Sequence, residues 1–324
     1  MTPLPTPGLV SVVIPHWNAV QHLPTCLRSL QRQTYPRVEV IVADNGSTDG
    51  SLELLASDYP WVHVIPLGEN RGFAGACNAG MRAARGEIVA LLNNDTQADP
   101  RWLAEVVAAF ERHPEAGLVA SKMLLFDRRD TFHTAGDFYR LDGTPGNRGV
   151  WQRDAGQYDR EEYVFNACGG SAAYRQTMLA RIGLLDEDFF FSCEDVDLAW
   201  RAQLTGYRCV YAPRAVVYHK LSATGGGATA SFYDGRNFIY LLTKDYPGDL
   251  WRVHWRAILR AQLGITAAAL HAWRGQAARA RLRGQLAGLL GLPRMLRKRR
   301  AVQRSRTVDR AYLASILTAV DETP

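Results

Sequence analysis

The stretch Glu87-Ile88-Val89-Ala90-Leu91-Leu92-Asn93-Asn94-Asp95-Thr96-Gln97-Ala98-Asp99 decides how the rest of the chain is read. Its continuous apolar run, Ile88 to Leu92, is short and bounded by polar residues, which predicts a strand buried on both faces. Asn93, Asn94 and Asp95 follow at once. A carboxylate and two amides at the carboxyl end of a central parallel strand stand where open α/β sheets bind ligands. Oxygen ligands of this kind suit Mg²⁺ or Mn²⁺, which in turn suit a diphosphate. The competing interpretation is a plain polar turn that opens a helix at Pro100, with Asp99 as its N-cap.

Upstream, Val10 to Ile14 (ending at Pro15), Val38 to Ala43 and Val62 to Ile65 read as strands. Between them lie amphipathic patterns with Leu23, Leu27 and Leu30, then Leu52, Leu54 and Leu55, then a helix opened by Asn70-Arg71-Gly72-Phe73-Ala74-Gly75 and running through Arg82. Strands alternating with helices over short connections predict an α/β, mostly parallel, doubly wound sheet. The second strand ends in Asp44-Asn45-Gly46-Ser47-Thr48-Asp49-Gly50, so a second acid stands at a strand end. Gly72 and Gly75 let backbone approach a ligand at a helix N-terminus, which favours anions. No G-x-G-x-x-G fingerprint and no P-loop lysine occurs, so dinucleotide oxidoreductase and P-loop NTPase chemistry lose their usual support.

Downstream, Gly117 to Phe126 reads as a strand, and residues 127–163 lose periodicity and are rich in Gly, Asp, Arg and aromatics. Irregular chain of that length usually carries function, often as a mobile substrate loop. A regular pattern resumes over Val164 to Tyr174, which contains Cys168-Gly169-Gly170-Ser171, and a short helix Gln176 to Ile182 stops at Gly183. Phe189-Phe190-Phe191 then precedes Glu194, Asp195 and Asp197 at a helix start. Acids in a first turn are favoured by the helix dipole, but three in four positions exceed what capping needs. Asp197 is placed to pair with Arg201 at i+4, which leaves Asp195 as the best candidate for a general base, with Glu194 beside it. Arg208 to Tyr211 and Ala215 to Tyr218 read as two short strands. His219 ends the second, ahead of Lys220, Ser222 and Gly225-Gly226-Gly227, as a candidate third metal or diphosphate contact. Arg236, in a helix opened by Phe232-Tyr233-Asp234, is set to meet phosphate or the acidic body.

The chain has 324 residues and is 47% apolar, enough for one large or two modest domains. Five irregularly spaced cysteines argue against a disulfide framework and for a reducing compartment. The amino-terminal residues show no signal-peptide pattern, residues 1–8 read as a flexible arm, and no run is long enough to span a membrane. Residues 251–310 carry 15 of the 38 Lys and Arg with a single acid, Asp309, so the net charge of +6 hides a basic segment on an acidic body. Trp251, Trp255, Leu259 and Leu263, then Leu282, Leu286, Leu289 and Leu290, are interleaved with Arg in helical stretches. Such helices suit an anionic membrane surface, or else dock on the acidic body.

In this order and spacing, Val12-Val13-Ile14-Pro15 with Asn18, Val42 to Gly50, Asn70 to Ala74, Leu92 to Thr96, Phe191 to Asp197 and His219 resemble glycosyltransferase family 2, the inverting GT-A enzymes. The resemblance covers about residues 8–245 and is closest to the rhamnosyltransferase-like branch that builds bacterial surface glycans. It implies a GT-A (Rossmann-like) domain over 9–246, with a nucleotide-binding half 9–126 and an acceptor and catalytic half 127–246, followed by a basic helical region 247–324. It implies that Pro15 and Asp44 meet the donor base, and that Asn18, Asn45, Arg71, Gly72, Asn93 and Asn94 line the donor site. Asp95 would hold a divalent cation, Mg²⁺ or Mn²⁺, on the diphosphate, with His219 as its partner. Asp195 would be the base, and Gly169, Gly170, Ser171 and Phe191 would face the acceptor. Asn93 departs from the family, many of whose members have an Asp there. One negative charge fewer predicts weaker metal affinity and leaves strict metal dependence open.

The expected reaction moves a sugar from a dTDP- or UDP-sugar to a glycan or lipid-linked acceptor, in the cytoplasm or on the inner face of the cell membrane. Three readings compete. A nucleotide-sugar-binding protein without catalysis would not need Glu194-Asp195. A nucleic-acid-binding protein acting through residues 274–306 would need a reader motif or aromatics that the segment lacks. A nucleotidyltransferase would show a Gly-rich basic loop near the N-terminus, where only His16 stands.

Overall fold

A computed structural model of the chain describes residues 5–220 and 227–322. Ser222, Gly225 and Gly226, singled out above, lie outside the described residues, as do residues 1–4 of the expected arm. The amino-terminal half alternates as its pattern requires: β1 (Thr6–His16), α1 (Leu23–Gln31), β2 (Val38–Asp44), α2 (Ser51–Asp58), β3 (His63–Pro66), α3 (Gly72–Ala83) and β4 (Gly86–Leu92). β5 (Thr96–Ala98), α4 (Trp102–Arg112) and β6 (Ala116–Leu125) follow. Four short strands come next, β7 (Phe132–Thr134), β8 (Asp137–Tyr139), β9 (Pro145–Asn147) and β10 (Glu162–Val164). Then come β11 (Ser171–Arg175), α5 (Gln176–Ile182), a 3₁₀ turn Glu187–Phe189, α6 (Glu194–Leu204) and β12 (Arg208–His219). The chain ends in α7 (Ala228–Lys244), α8 (Gly248–His271), α9 (Gln276–Leu290), α10 (Leu292–Arg304) and α11 (Arg310–Ile316).

The main sheet runs β10-β12-β6-β11-β4-β1-β2-β3, with β5 against β12 and β7 against β6. β4, β1, β2 and β3 are parallel, and β11 enters antiparallel between β4 and β6. The unbroken apolar run of β4 has a direct cause. Ala90 and Leu92 pack on one face with Val12, Ile14 and Val42 beneath α1 and α4, while Val89 and Leu91 pack on the other with Val13 and Ile41 beneath α3. The register sets His16 opposite Asp44 and Val13 opposite Leu91, so His16, Asp44 and the Asn93–Asp95 turn emerge on one edge of the sheet.

Four expectations are corrected. Thr6 to Gly8 are not an arm: they belong to β1, with the Thr6 amide on Arg85 O (2.8 Å) and the Gly8 amide on Glu87 Oε2 (2.8 Å). The two strands at 208–218 are one, β12, whose register on β6 shifts between Ala212 and Val216, around Pro213. Residues 127–163 are a small layer of paired strands with buried Phe132 and Tyr139 rather than a loop without structure. The regular pattern expected over Val164–Tyr174 breaks at residues 165–170, which form a connection ahead of β11.

The basic carboxyl-terminal region shares a core with the rest. Leu250, Ile258, Met295, Val302, Leu313 and Leu317 pack in one cluster with Phe165, Phe189, Trp200 and Tyr246. α9 crosses α7 in backbone contact: a Cβ on Gly284 would lie 2.0 Å from Phe232 O, and one on Gly235 2.5 Å from Arg281 O. Many of its cations turn inward. Lys298 meets Asp186 (2.5 Å) and Asp188 (2.6 Å), Arg281 meets Asp234 (3.0 Å), Arg306 meets Asp249 (2.9 Å), and Arg299 donates to Thr243 O and Tyr246 O. Arg236 turns inward, where its Nη2 caps the carbonyls of Asp188 and Phe189. No described helix is long and apolar enough to cross a membrane.

Candidate active site

A cleft of about 900 Å³ opens at the carboxyl edge of the parallel strands. On a first side it is lined by Pro15, Asn18, Gly72, Asn93 and Asn94, and the lining continues through Gly170, whose carbonyl accepts from the Asn93 amide (3.0 Å), to Gly169, Glu194 and Asp195. Phe190, Phe191 and Tyr233 form an aromatic wall in which Phe190 and Tyr233 stack at 5.3 Å and 14°.

Behind the first side, Asp44 is buried at the end of β2. Its Oδ2 accepts from the amides of Gly46 (3.2 Å) and Ser47 (3.1 Å), and its Oδ1 has no hydrogen-bond partner among the described residues. A buried carboxylate oxygen without a donor is costly, which favours a ligand donor there. Asn18 is held at φ 44° by Thr48, whose amide donates to its Oδ1 (2.8 Å). Asn45 ties the next loop: it accepts from the Arg71 amide (2.8 Å) and donates to Gly72 O (3.1 Å). Asn94 bonds His16 Nδ1 (2.8 Å), whose Nε2 meets Ser51 (2.7 Å); burial lowers the pKa of His16, so it serves as a neutral bridge.

Asp95 and His219 come together one layer deeper. His219 Nε2 lies 3.1 Å from Asp95 Oδ1, both are buried, and β5 carries Thr96 alongside His219 on β12. A carboxylate oxygen and an imidazole nitrogen at this separation fit adjacent ligand positions around one divalent ion, since ligands about 2.1 Å from an ion and at right angles are about 3 Å apart. The other ring nitrogen of His219 lies 3.0 Å from His133 Nδ1. His133 lines the cleft, and burial, reinforced by His219, pushes its pKa down to about 3, so it is neutral.

The loop before α6 is strained. Phe190 (φ 61°), Ser192 (φ 67°) and Cys193 (φ 66°) all sit in the left-handed region that non-glycine residues avoid. Asn237 on α7, fully buried, holds it with its amide on the carbonyls of Phe189 (3.0 Å), Phe191 (2.9 Å) and Ser192 (2.6 Å). Gly72 seats it from below: a Cβ there would come within 2.5 Å of Phe190 O. The glycine is therefore needed for this packing as well as for an open cleft. The loop delivers Glu194 and Asp195 to the cleft at the start of α6. Asp195 accepts from the amides of Gly169 (2.7 Å) and Val196 (2.8 Å). Burial raises its pKa, and these donors together with Asn166 oppose the rise and favour the carboxylate. Burial and the charge of Asp195 push Glu194 well above the usual carboxylate range, and its Oε2 is buried without a hydrogen bond among the described residues. Asp197 turns away from the cleft into a buried network with Arg201 (3.0 Å) and Lys244, the structural bridge its spacing predicts.

The cleft thus gathers Pro15, Asn18, Gly72, Asn93, Asn94, Gly169, Gly170, Phe191, Glu194 and Asp195. Asp44, Asn45, Asp95 and His219 stand behind its wall. Arg71 is half exposed beside Glu69 (3.3 Å), and Ser171 is buried with its hydroxyl on Ser121 (2.9 Å), so neither lines the cleft. His133, Asp137, Asn147 and Tyr233 line it without having been singled out in the sequence. The first three lie in the stretch that lacks periodicity, whose composition marked the region and no residue within it.

A family model described as glycosyl transferase family 2 matches residues 11–183. An N-acetylglucosaminyl-diphospho-decaprenol L-rhamnosyltransferase of Mycobacterium tuberculosis (strain H37Rv) is 28% identical over 282 residues, covering 79% of this chain and 91% of that protein. Among solved structures, the mannosyltransferase PcManGT of Pyrobaculum calidifontis, in complex with GDP-Man and Mn²⁺, is similar with a TM-score of 0.55 at 20% identity, over 95% of this chain and 82% of that one. Staphylococcus aureus TarS 1-349 in complex with UDP is similar with a TM-score of 0.53 at 19% identity, over 92% and 90%.

Proposed function

Because this chain belongs to glycosyl transferase family 2, and is a glycosyltransferase of GT-A fold with a rhamnosyltransferase-like relative, we propose that it transfers a sugar, rhamnose first among the candidates, from a nucleoside diphosphate to a hydroxyl of a lipid-linked or glycan acceptor in cell-surface polysaccharide synthesis, with inversion. The observation that carries this reading is that Asp195, a carboxylate fixed by two backbone amides, lines the same cleft as Asn93 and Asn94 at the end of β4. In the proposed step Asp195 takes the proton of the acceptor hydroxyl as its oxygen bonds to the anomeric carbon. The bond from that carbon to the diphosphate oxygen breaks, and its electrons leave with the nucleoside diphosphate. Glu194, raised by burial and by Asp195, stands beside the base. Pro15, Asn18 and Asp44 bind the nucleoside, and Phe191, with Gly169 and Gly170, orients the acceptor. Asp95 and His219 would hold a divalent cation, which when bound supplies positive charge against the leaving diphosphate.

Thermal unfolding against a panel of nucleotides tests the donor site, since a ligand that binds only the folded chain raises its midpoint. We expect dTDP or UDP to raise it, and Mn²⁺ to enlarge the shift in the unaltered chain but not in Asp95→Asn. No shift with any nucleotide would overturn the reading, and a shift indifferent to metal would remove the ion from it.

The enzyme also fits a place on the inner face of the cell membrane. α8 exposes Trp251 (37%), Trp255 (43%), Leu259 (45%) and Leu263 (67%) at four-residue spacing, beside exposed Arg252, Arg256 and Arg260. Such a stripe suits an anionic bilayer surface. The buried half of α8 makes truncation unsuitable as a test. Replacing Trp255 and Leu263 with Asp is expected to cut co-sedimentation with vesicles of phosphatidylglycerol and phosphatidylcholine at least tenfold without changing the melting temperature. Unchanged sedimentation would refute the contact.

A further inference from the structure

Asp137, the first residue of β8, is a buried acid that faces the proposed base. One carboxylate oxygen of Asp137, one of Asp195 and the Cys168 thiol lie within 4.8 Å of one another. Thr134 Oγ1 (2.6 Å) and Asn147 Nδ2 (2.9 Å) donate to Asp137 Oδ1, and Asn166 Nδ2 lies 3.4 Å from its Oδ2. Asn166 also favours the charged form of Asp195, so one fully buried amide acts on both carboxyls.

The other charged and titratable groups around the pair do not neutralise it. Arg148, beyond β9, faces Asp137, but its Nη1 is committed to Glu162 (2.7 Å) and its Nε to Ala135 O (2.8 Å). The thiols of Cys168 and of Cys209 on β12 are pushed well up by burial and stay neutral, as does the thiol of Cys193 before α6. The Cys77 thiol on α3 and the Tyr174 hydroxyl on β11, which face Asp195, are raised by burial in the same way, and so is Glu194. Two carboxyls this close on one cleft wall cannot both carry charge cheaply, so they titrate as a pair. Burial, then the charge of Asp195, pushes Asp137 up to about 7.

Resting on the assignment of Asp195 as base, we propose that Asp137 is a positioning residue that titrates as a pair with Asp195 and thereby sets the strength of that base. With the proton on Asp137, Asp195 is the carboxylate that meets the acceptor hydroxyl. When Asp137 loses its proton to solvent, the second charge makes Asp195 a stronger base. The pair accepts the hydroxyl proton in either state, and no other reactant is needed.

The test is the dependence of kcat/KM on pH in the full-length enzyme. The unaltered enzyme is expected to show a main rise as Asp195 ionises and a second rise of about three- to tenfold near pH 7 as Asp137 ionises. Asp137→Asn removes the second rise and keeps the first, while Asp137→Glu restores it. A second rise that persists in Asp137→Asn overturns the proposal. Should Asp137→Asn lose its donor-induced thermal shift, the carboxyl resonances of ¹³C-labelled Asp in Asp195→Asn replace it as the measurement. There the like charge is gone, and Asp137 is expected to titrate at lower pH than in the unaltered chain. An unmoved titration overturns the proposal equally. Full activity in Asp195→Asn would instead overturn the base assignment itself.

Discussion

Asp195→Asn is expected to lower kcat by about 100- to 10,000-fold, the usual span for loss of a positioned general base. The affinity for the nucleotide donor should stay within about twofold, because Asp195 is assigned to the acceptor hydroxyl and the nucleoside to Pro15, Asn18 and Asp44. The amide side chain keeps the volume of the acid and one oxygen for the Gly169 or Val196 amide, so the strained loop before α6 retains its anchor. Steady-state kinetics paired with donor titration separates the two effects. The sign of the pH dependence follows from burial, which raises the pKa of Asp195 above the ordinary carboxylate value of about 3.9. The base is lost as pH falls through that raised value, so turnover declines in acid sooner than an exposed Asp would dictate. Retained turnover in Asp195→Asn would pass the role to Glu194, the neighbouring acid on the same wall.

Lys244→Met is expected to destabilise the fold by about 3–5 kcal/mol, the cost of breaking a buried ion pair. Lys244 is 3% exposed and its Nζ meets Asp186 (2.6 Å) and Asp197, which is itself fully buried and bound to Arg201. Methionine fills the same space but leaves two carboxylates short of a cation. Burial alone would raise Asp186, but Lys244 and Lys298 outweigh it and hold it well below the usual range. A depressed carboxylate stabilises the fold above its unfolded pKa of about 3.9, and that contribution fades as pH falls through the folded value. The loss in Lys244→Met should therefore be largest near neutrality and shrink below about pH 4. Urea unfolding at several pH values measures it. A loss below about 1 kcal/mol at pH 7 would mean that the network contributes as little as an exposed pair does. The network matters to function because Asp197 lies one turn from Glu194 and Asp195 and fixes the helix that presents them.

Local order in the chain was enough to identify β1 to β4, whose apolar runs are continuous because the sheet is covered on both faces. It was also enough to mark the acids at strand ends and the Glu194-Asp195 pair, because three acids in one helical turn exceed any capping need. Arg201 four residues beyond Asp197 identified the structural acid among them. These features depend on neighbours within a turn or a strand, and sequence records such neighbours directly.

Tertiary structure decided what depends on residues far apart. Asp137 lies in a stretch without period, and only the pairing of β8 with β9 and the approach of α6 set it against Asp195. Asn237 looks like any polar residue on a helix until α7 is seen to hold three carbonyls of the strained loop. Gly284 and Gly235 show their purpose only where α9 and α7 touch backbone to backbone. The basic tail read equally as a membrane face or a docked face, and the structure divides it: Arg281, Lys298 and Arg299 turn inward to carboxylates and carbonyls, while Arg283, Arg297, Arg300 and Arg304 stay exposed and α8 keeps its tryptophans and arginines outside. Charge and hydrophobicity along a helix are fixed by sequence, but which side meets protein is fixed by the surface it packs on, and that surface is assembled from the whole chain.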